Sequence, residues 1–193
     1  MENETLLEYY ISSGNQSDKG TDHNYIQELY TQEFSPLRNK ETNILEIGVR
    51  YGDSIKLWRE WFTKGSVYGI DTLYTSRAQT LLEGMDIKII IDDAYSKGCV
   101  DSIPNDFFDY IIDDGPHTLE SQLECVRLYL PKLKKGGKII IEDILVWKSA
   151  ESKFQQLGKE LGLQYEGKHI PGSRKSDNAV AIYIKWANTL QYR

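Results

Sequence analysis

Two short stretches carry the densest chemistry in this chain: Asp113-Asp114-Gly115-Pro116-His117 and Glu142-Asp143. Each follows an apolar run, Phe107–Ile112 and Lys138–Ile141, so each reads as the tip of a β-strand. If those strands are parallel neighbours, four carboxylates and one imidazole meet at one edge of a sheet. Carboxylates that close repel one another, and a cation is their natural partner. All-oxygen donors suit Mg²⁺ better than a soft metal, and the lack of a second histidine near the motif disfavours zinc. His117, three residues after Asp114, is placed to take a proton from a substrate hydroxyl. Acids at a strand end are commonly solvated turn residues, and a lone histidine is commonly structural. The clustering of acids at two neighbouring tips favours function here.

Three further strand tips carry polar signals. After Asn43–Gly48 comes Glu46-Ile47-Gly48-Val49-Arg50-Tyr51-Gly52-Asp53-Ser54. Glycines at 48 and 52 allow a sharp turn and close approach of a ligand, and the next helix offers free N–H groups. Arg50 stands where a dinucleotide fingerprint has its second glycine, which disfavours a pyrophosphate and leaves room for an amino-acid tail. Asp71 ends the second strand, 25 positions after Glu46, where an acid accepts from ribose hydroxyls. Asp92-Asp93-Ala94 ends the third. Asp93 is placed to accept an adenine amine, although turn chemistry explains it as well.

The elements behind these tips alternate. A helix is expected at about 24–34. Strands are expected at 43–48, 66–70, 87–91, 107–112 and 138–141, separated by helices at 54–62, 75–82 and 119–130. A helix at 148–161 precedes two final strands, 163–169 and 179–185. This is the pattern of an α/β fold with a largely parallel sheet, and the last two strands form an antiparallel hairpin at one edge. In such sheets ligands bind beyond the carboxyl ends of the strands. His23 and His169 read as structural or surface residues, Lys132, Lys134 and Lys135 as a solvated helix end, and Trp58, Trp61, Phe62 and Cys125 as core.

At 193 residues the chain has the length of one domain: a helical cap over 1–40 and a sheet unit over 41–193. It carries 23 Lys+Arg against 29 Asp+Glu, and this acidic balance without a basic cluster argues against nucleic acid. No apolar run approaches a membrane span, and no secretory signal is visible at the start. Two isolated cysteines fit a reducing, cytoplasmic setting. Whether the chain forms a homo-oligomer is left open.

On the segments ILEIGVRYGDS (44–54), YGID (68–71), IDDAYS (91–96), FDYIIDDGPH (108–117) and LKKGGKIIIEDI (133–144), the chain resembles the class I S-adenosylmethionine-dependent methyltransferases. It is most similar to the metal-dependent O-methyltransferases of macrolide deoxysugars. SDKGTDHNYIQELY (17–30) resembles the cap that precedes the sheet in those enzymes. The resemblance implies a Rossmann-like seven-stranded sheet with helices on both faces, S-adenosylmethionine as cofactor, Mg²⁺, and a sugar or glycan acceptor. Glu46, Gly48, Gly52 and Ser54 would hold the methionine end and Asp71 the ribose. Asp93 and Ala94 would face the adenine, and Asp113 is counted with the cofactor-facing residues. Asp114, Glu142 and Asp143 would bind the ion. His117 would be the general base, with Asp114 as its catalytic partner. The loop 171–178 and the cap would face the acceptor. Pro116 departs from the small polar residue usual in the motif. Other readings are a catechol-like or other small-molecule acceptor, and a cofactor-binding domain without turnover.

Overall fold

The computed structural model describes residues 4–145, 147–172 and 178–186. The chain opens with helices α1 (Leu6–Ser13) and α2 (Asp18–Thr21), then a π-helical turn, Ile26–Tyr30, running into α3 (Thr31–Phe34). Helix α1 went unread in the sequence. Thr5 and Glu8 form a capping box at its start, and Gly14 ends it in the left-handed conformation at φ 65°.

The strands are β1 (Ile44–Ile47), β2 (Val67–Asp71), β3 (Lys88–Ile91), β4 (Phe108–Asp113), β5 (Leu133–Ile141), β6 (Gln164–His169) and β7 (Ala179–Ile184). Between them lie α4 (Asp53–Trp61), α5 (Ser76–Leu81), α6 (Lys97–Ser102), α7 (Leu119–Tyr129) and α8 (Trp147–Leu161). Thr75, Ser96 and Thr118 cap α5, α6 and α7 through side-chain oxygens that accept backbone N–H groups.

The described residues form a seven-stranded sheet of order β3-β2-β1-β4-β5-β7-β6. The first five strands are parallel, and β7 runs antiparallel to both β5 and β6. The order reverses at β1, which lies between β2 and β4, so the ligand crevice of such a sheet opens beyond β1 and β4. Register levels the tips: Ile47 pairs with both Ile70 and Asp113, and Asp113 pairs with Ile141. Gly48, Asp71, Asp114 and Glu142 therefore emerge along one edge.

Alternation along the strands divides the core between two faces. Leu45, Ile111, Ile139 and Ile141 pack with Cys125, Val126, Phe154 and Leu157. Ile44, Ile112 and Ile140 pack with Trp58, Trp61, Phe62 and the cap residues Tyr25, Tyr30 and Phe34. The cap thus lies on the α4 face and ends beside the strand tips. Within the lysine cluster, Lys135 is exposed and Lys134 partly so, but Lys132 departs from the sequence expectation. Lys132 is buried, its Nζ donating at 2.8 Å to Ile103 O and to Asn105 Oδ1, which ties the β4 approach to the end of α7. No helix among the described residues is long and apolar enough to cross a membrane.

Candidate active site

A cleft of about 910 Å³ opens at the carboxyl edge of the sheet, within the size range of small-molecule sites. Gly48, Gly52, Ser54, Asp71, Asp93, Ala94, Asp114, His117 and Asp143 all line it. Glu46, Asp113 and Glu142, also singled out in the sequence, stand behind this lining as buried acids.

The glycine loop is shaped by two constraints. A Cβ on Gly48 (φ 91°) would lie 2.0 Å from the carbonyl oxygen of Asp114, so the β1 and β4 tips approach only because residue 48 has no side chain. Asp71 holds the same loop: its Oδ2 accepts from Val49 N and Arg50 N, both at 2.8 Å, and its Oδ1 from Leu73 N at 3.1 Å. Arg50, in the place of a fingerprint glycine, adopts the left-handed region at φ 47°. Glu46 Oε2 accepts from Ser54 Oγ at 3.0 Å, which links β1 to the first turn of α4. Asp93 Oδ1 accepts from Tyr95 N at 2.9 Å while its side chain stays exposed, so the turn role and a ligand role coexist. Asp113 accepts from Tyr95 Oη at 2.8 Å, and burial pushes its pKa up to about 6.

Beyond β4 and β5, Asp114, His117 and Asp143 bring one donor atom each within 4.8 Å of the others. His117 Nδ1 lies 3.3 Å from Asp143 Oδ2, and His117 Nε2 lies 3.7 Å from Asp114 Oδ1. Burial, then the charge of Asp114, raises the pKa of Asp143. The two carboxylates converging at the cleft wall fit a divalent ion, and the imidazole beside them is free to exchange a proton. The cleft's other half, with glycine-loop backbone, Asp71 and the Asp93-Ala94 turn, fits an adenosyl group with an amino-acid tail.

Glu142 is placed differently from its neighbour. Its Oε2 takes a charge-assisted hydrogen bond from Lys19 Nζ and its Oε1 one from Tyr30 Oη. Lys19 also lies 2.7 Å from Asp114 Oδ2 and 3.3 Å from Glu46 Oε1. Burial opposes the charge on Lys19, but the carboxylates of Asp114, Glu142 and Glu46 outweigh it and hold its pKa well above the usual lysine range. Burial likewise drives Glu142 upward, with Lys19 opposing.

The cap supplies what sequence reasoning missed. Tyr25 Oη donates to Asp143 Oδ1 at 2.7 Å, and His23, read above as structural or surface, is buried on the cleft wall with Nδ1 3.4 Å from that oxygen. His23 stacks on Tyr25 at 4.9 Å between ring centroids. Lys19, His23, Tyr25 and Tyr30 all fall in SDKGTDHNYIQELY, but helix α2 ends at Thr21 and Asn24 is left-handed, so no regular spacing marks them as site residues. Of the loop 171–178, residues 173–177 lie outside the described residues; Pro171 O accepts from Asn24 Nδ2 of the cap at 2.9 Å.

No protein-family model matches the sequence. Among curated proteins, it is 31% identical over 124 residues to demethylmacrocin O-methyltransferase of Streptomyces fradiae, covering 60% of this chain and 30% of that protein. It is 30% identical over 135 residues to 8-demethyl-8-alpha-L-rhamnosyl tetracenomycin-C 2'-O-methyltransferase of Streptomyces olivaceus, covering 66% and 35%. The chain spans about a third of the length of these relatives. Among solved structures, the MycE methyltransferase in complex with Mg, SAH and mycinamycin VI superposes with TM-score 0.69 at 22% identity, over 95% of this chain and 54% of that one. The fibrillarin pre-rRNA processing protein of Methanococcus jannaschii gives 0.61 at 20% identity, over 76% and 67%. The chain shares its fold with the MycE methyltransferase and with fibrillarin.

Proposed function

We propose that this chain is an O-methyltransferase that moves the methyl group of S-adenosylmethionine to a hydroxyl of a deoxysugar, such as a rhamnose-type residue of a glycan or glycoside. The reading assigns the methionine end of the cofactor to Gly48, Gly52 and Ser54, with Glu46 fixing Ser54 from behind. It assigns the ribose to Asp71 and the adenine to Asp93 and Ala94. Asp114 and Asp143 hold a divalent ion, Mg²⁺ by the predominance of oxygen donors. One observation carries it: the glycine loop with Asp71 and the Asp114–His117–Asp143 group line a single cleft.

When bound, the cofactor supplies an electrophilic methyl group and the ion supplies a Lewis acid that lowers the pKa of an acceptor hydroxyl. The chain's own residues supply orientation and proton transfer. Displacement at the methyl carbon needs oxygen, carbon and sulfur in line, and two walls fixed to one sheet edge provide that alignment, worth about 7–11 kcal/mol in favourable cases. Asp143 Oδ2 beside His117 Nδ1 favours the tautomer with the proton on Nδ1, leaving Nε2 to accept the hydroxyl proton. His117 would then hold that proton as an imidazolium, with Asp143 and Asp114 steadying its charge. Buried free thiols at Cys99 and Cys125 support a reducing, cytoplasmic setting.

The test is incubation of the chain with methyl-labelled S-adenosylmethionine and a panel of rhamnosides, other deoxysugar glycosides and catechols, followed by mass spectrometry of products. Label on a sugar hydroxyl is the expected result. Label on catechols alone would overturn the sugar assignment, and no label on any acceptor would overturn the activity.

A further inference from the structure

His23 sits on the cleft wall, 5% exposed, and its Nδ1 is enclosed without a hydrogen-bond partner among the described residues. Buried polar atoms in proteins are almost always satisfied, and one that is not calls for an account. The ring is firmly placed. It stacks on Tyr25 at 4.9 Å between centroids, with 27° between the planes. The backbone N–H of His23 donates to Asp18 O at 2.9 Å. Asn24, left-handed at φ 61°, turns the chain after it and donates through Nδ2 to Pro171 O at 2.9 Å. With Nδ1 shut away, Nε2 is the nitrogen on the ring edge that lines the cleft.

Asp143 joins this ring to His117. Its Oδ1 lies 3.4 Å from His23 Nδ1, and its Oδ2 lies 3.3 Å from His117 Nδ1. The closer partner of Oδ1 is Tyr25 Oη at 2.7 Å, so His23 meets the carboxylate through charge rather than through a hydrogen bond. Both imidazoles thus turn the same nitrogen to one carboxylate, one at each oxygen. A carboxylate at Nδ1 favours the tautomer protonated there, which leaves each Nε2 an acceptor. In His117 that acceptor is assigned to the hydroxyl that becomes methylated. We propose that His23 is a specificity-determining residue whose Nε2 accepts a hydrogen bond from a second hydroxyl of the acceptor sugar, one that is not methylated. The inference rests on the sugar reading given above and deepens it: the acceptor is recognised as a polyol, held by two hydroxyls at once. A second contact fixes the sugar's rotation about the reacting oxygen, and so decides which hydroxyl meets His117. An analogue without the second hydroxyl leaves a desolvated nitrogen unpaired, which is how a site built on hydrogen bonds rejects a lesser substrate.

The test crosses one variant with a set of acceptors: a methyl rhamnoside and its analogues that each lack one ring hydroxyl. Calorimetric titration into the full chain, loaded with S-adenosylhomocysteine and Mg²⁺, reads affinity. Methyl-labelled S-adenosylmethionine reads transfer and shows which hydroxyl is methylated. Native protein is expected to bind one analogue, lacking a hydroxyl other than the methylated one, about tenfold or more weaker than the full rhamnoside. His23→Phe keeps a ring to stack on Tyr25 and removes the nitrogens. It is expected to bind the full rhamnoside about tenfold or more weaker, to lose nothing further on that analogue, and to bind S-adenosylhomocysteine as the native protein does. His23→Leu carries the same expectation if His23→Phe does not fold. The inference is overturned, with the sugar reading intact, if native protein labels the rhamnoside but is indifferent to every hydroxyl except the methylated one. It is overturned equally if the variant binds the full rhamnoside as native protein does, or loses as much as native protein on every analogue. No label on any rhamnoside with native protein overturns the sugar reading and this inference together.

Discussion

His117 and Asp143 face each other at 3.3 Å, imidazole Nδ1 to carboxylate Oδ2, and both are held in the left-handed backbone region, at φ 58° and 54°. Such a conformation costs a non-glycine residue on the order of 1–3 kcal/mol and persists only where its surroundings impose it. They do so here. Thr118, next to His117, caps α7, and Gln122 Nε2 of that helix donates to Glu142 O at 2.9 Å, which fixes the β5 tip. Arg50, the third left-handed non-glycine residue lining the cleft, is held by Asp71. Backbone strain is therefore concentrated where the chemistry is proposed.

The histidine is the residue whose loss separates binding from turnover. His117→Ala is expected to bind S-adenosylhomocysteine with native affinity while turnover falls by about 10²–10⁴-fold, the usual worth of a general base. Calorimetric titration and initial rates at saturating substrate check the two halves. A full rate would remove His117 from the proton-transfer role.

Gly48 and Gly136 share a left-handed conformation, at φ 91° and 81°, but differ in their surroundings. An added Cβ meets the Asp114 carbonyl oxygen at 2.0 Å in the first case and nothing within 4 Å in the second. Gly48→Ala is expected to lose more than about 3 kcal/mol of stability and to lose cofactor binding; Gly136→Ala is expected to lose about 1 kcal/mol. Urea denaturation of the two variants measures the difference, and equal losses would show that close approach of the β1 and β4 tips is not the constraint.

Burial raises the pKa of Glu46 from the ordinary 4.5 to about 7, with Lys19 opposing. Between those values the folded chain holds a proton that the unfolded chain has released, so stability falls as pH rises through the window and levels above it. The total is on the order of 3 kcal/mol. Glu46→Gln is expected to flatten this slope in urea denaturation series run between about pH 4.5 and pH 7. A slope unchanged by the substitution would contradict the raised carboxyl.

Much of this architecture was legible because strands and tips obey local rules. The strands expected at 43–48, 66–70 and 107–112 match β1, β2 and β4 to within one residue at each end, and the acids at their tips share an edge because parallel register levels the tips. Helix α6 and strand residues 133–137 were not anticipated. The first is only six residues long, and Gly136-Gly137 reads as a turn although β5 runs through it. The cap's contribution was illegible for a different reason. Lys19 and Glu142 are 123 positions apart, and no periodicity within either segment reports that one lands on the other. Glu142 looked equivalent to Asp143 in sequence; in the fold Glu142 is buried against Lys19 and Tyr30, whereas Asp143 lines the cleft beside Tyr25 and His117.

The central claim is methyl transfer assisted by an ion held at Asp114 and Asp143. The most direct measurement is a single-turnover reaction of the full chain with methyl-labelled S-adenosylmethionine and a rhamnoside acceptor, after EDTA treatment and again after Mg²⁺ is restored. Label should reach the sugar only when Mg²⁺ is present, and Asp143→Asn should fail in both conditions. Transfer at the same rate in EDTA, or in Asp143→Asn, would contradict the account.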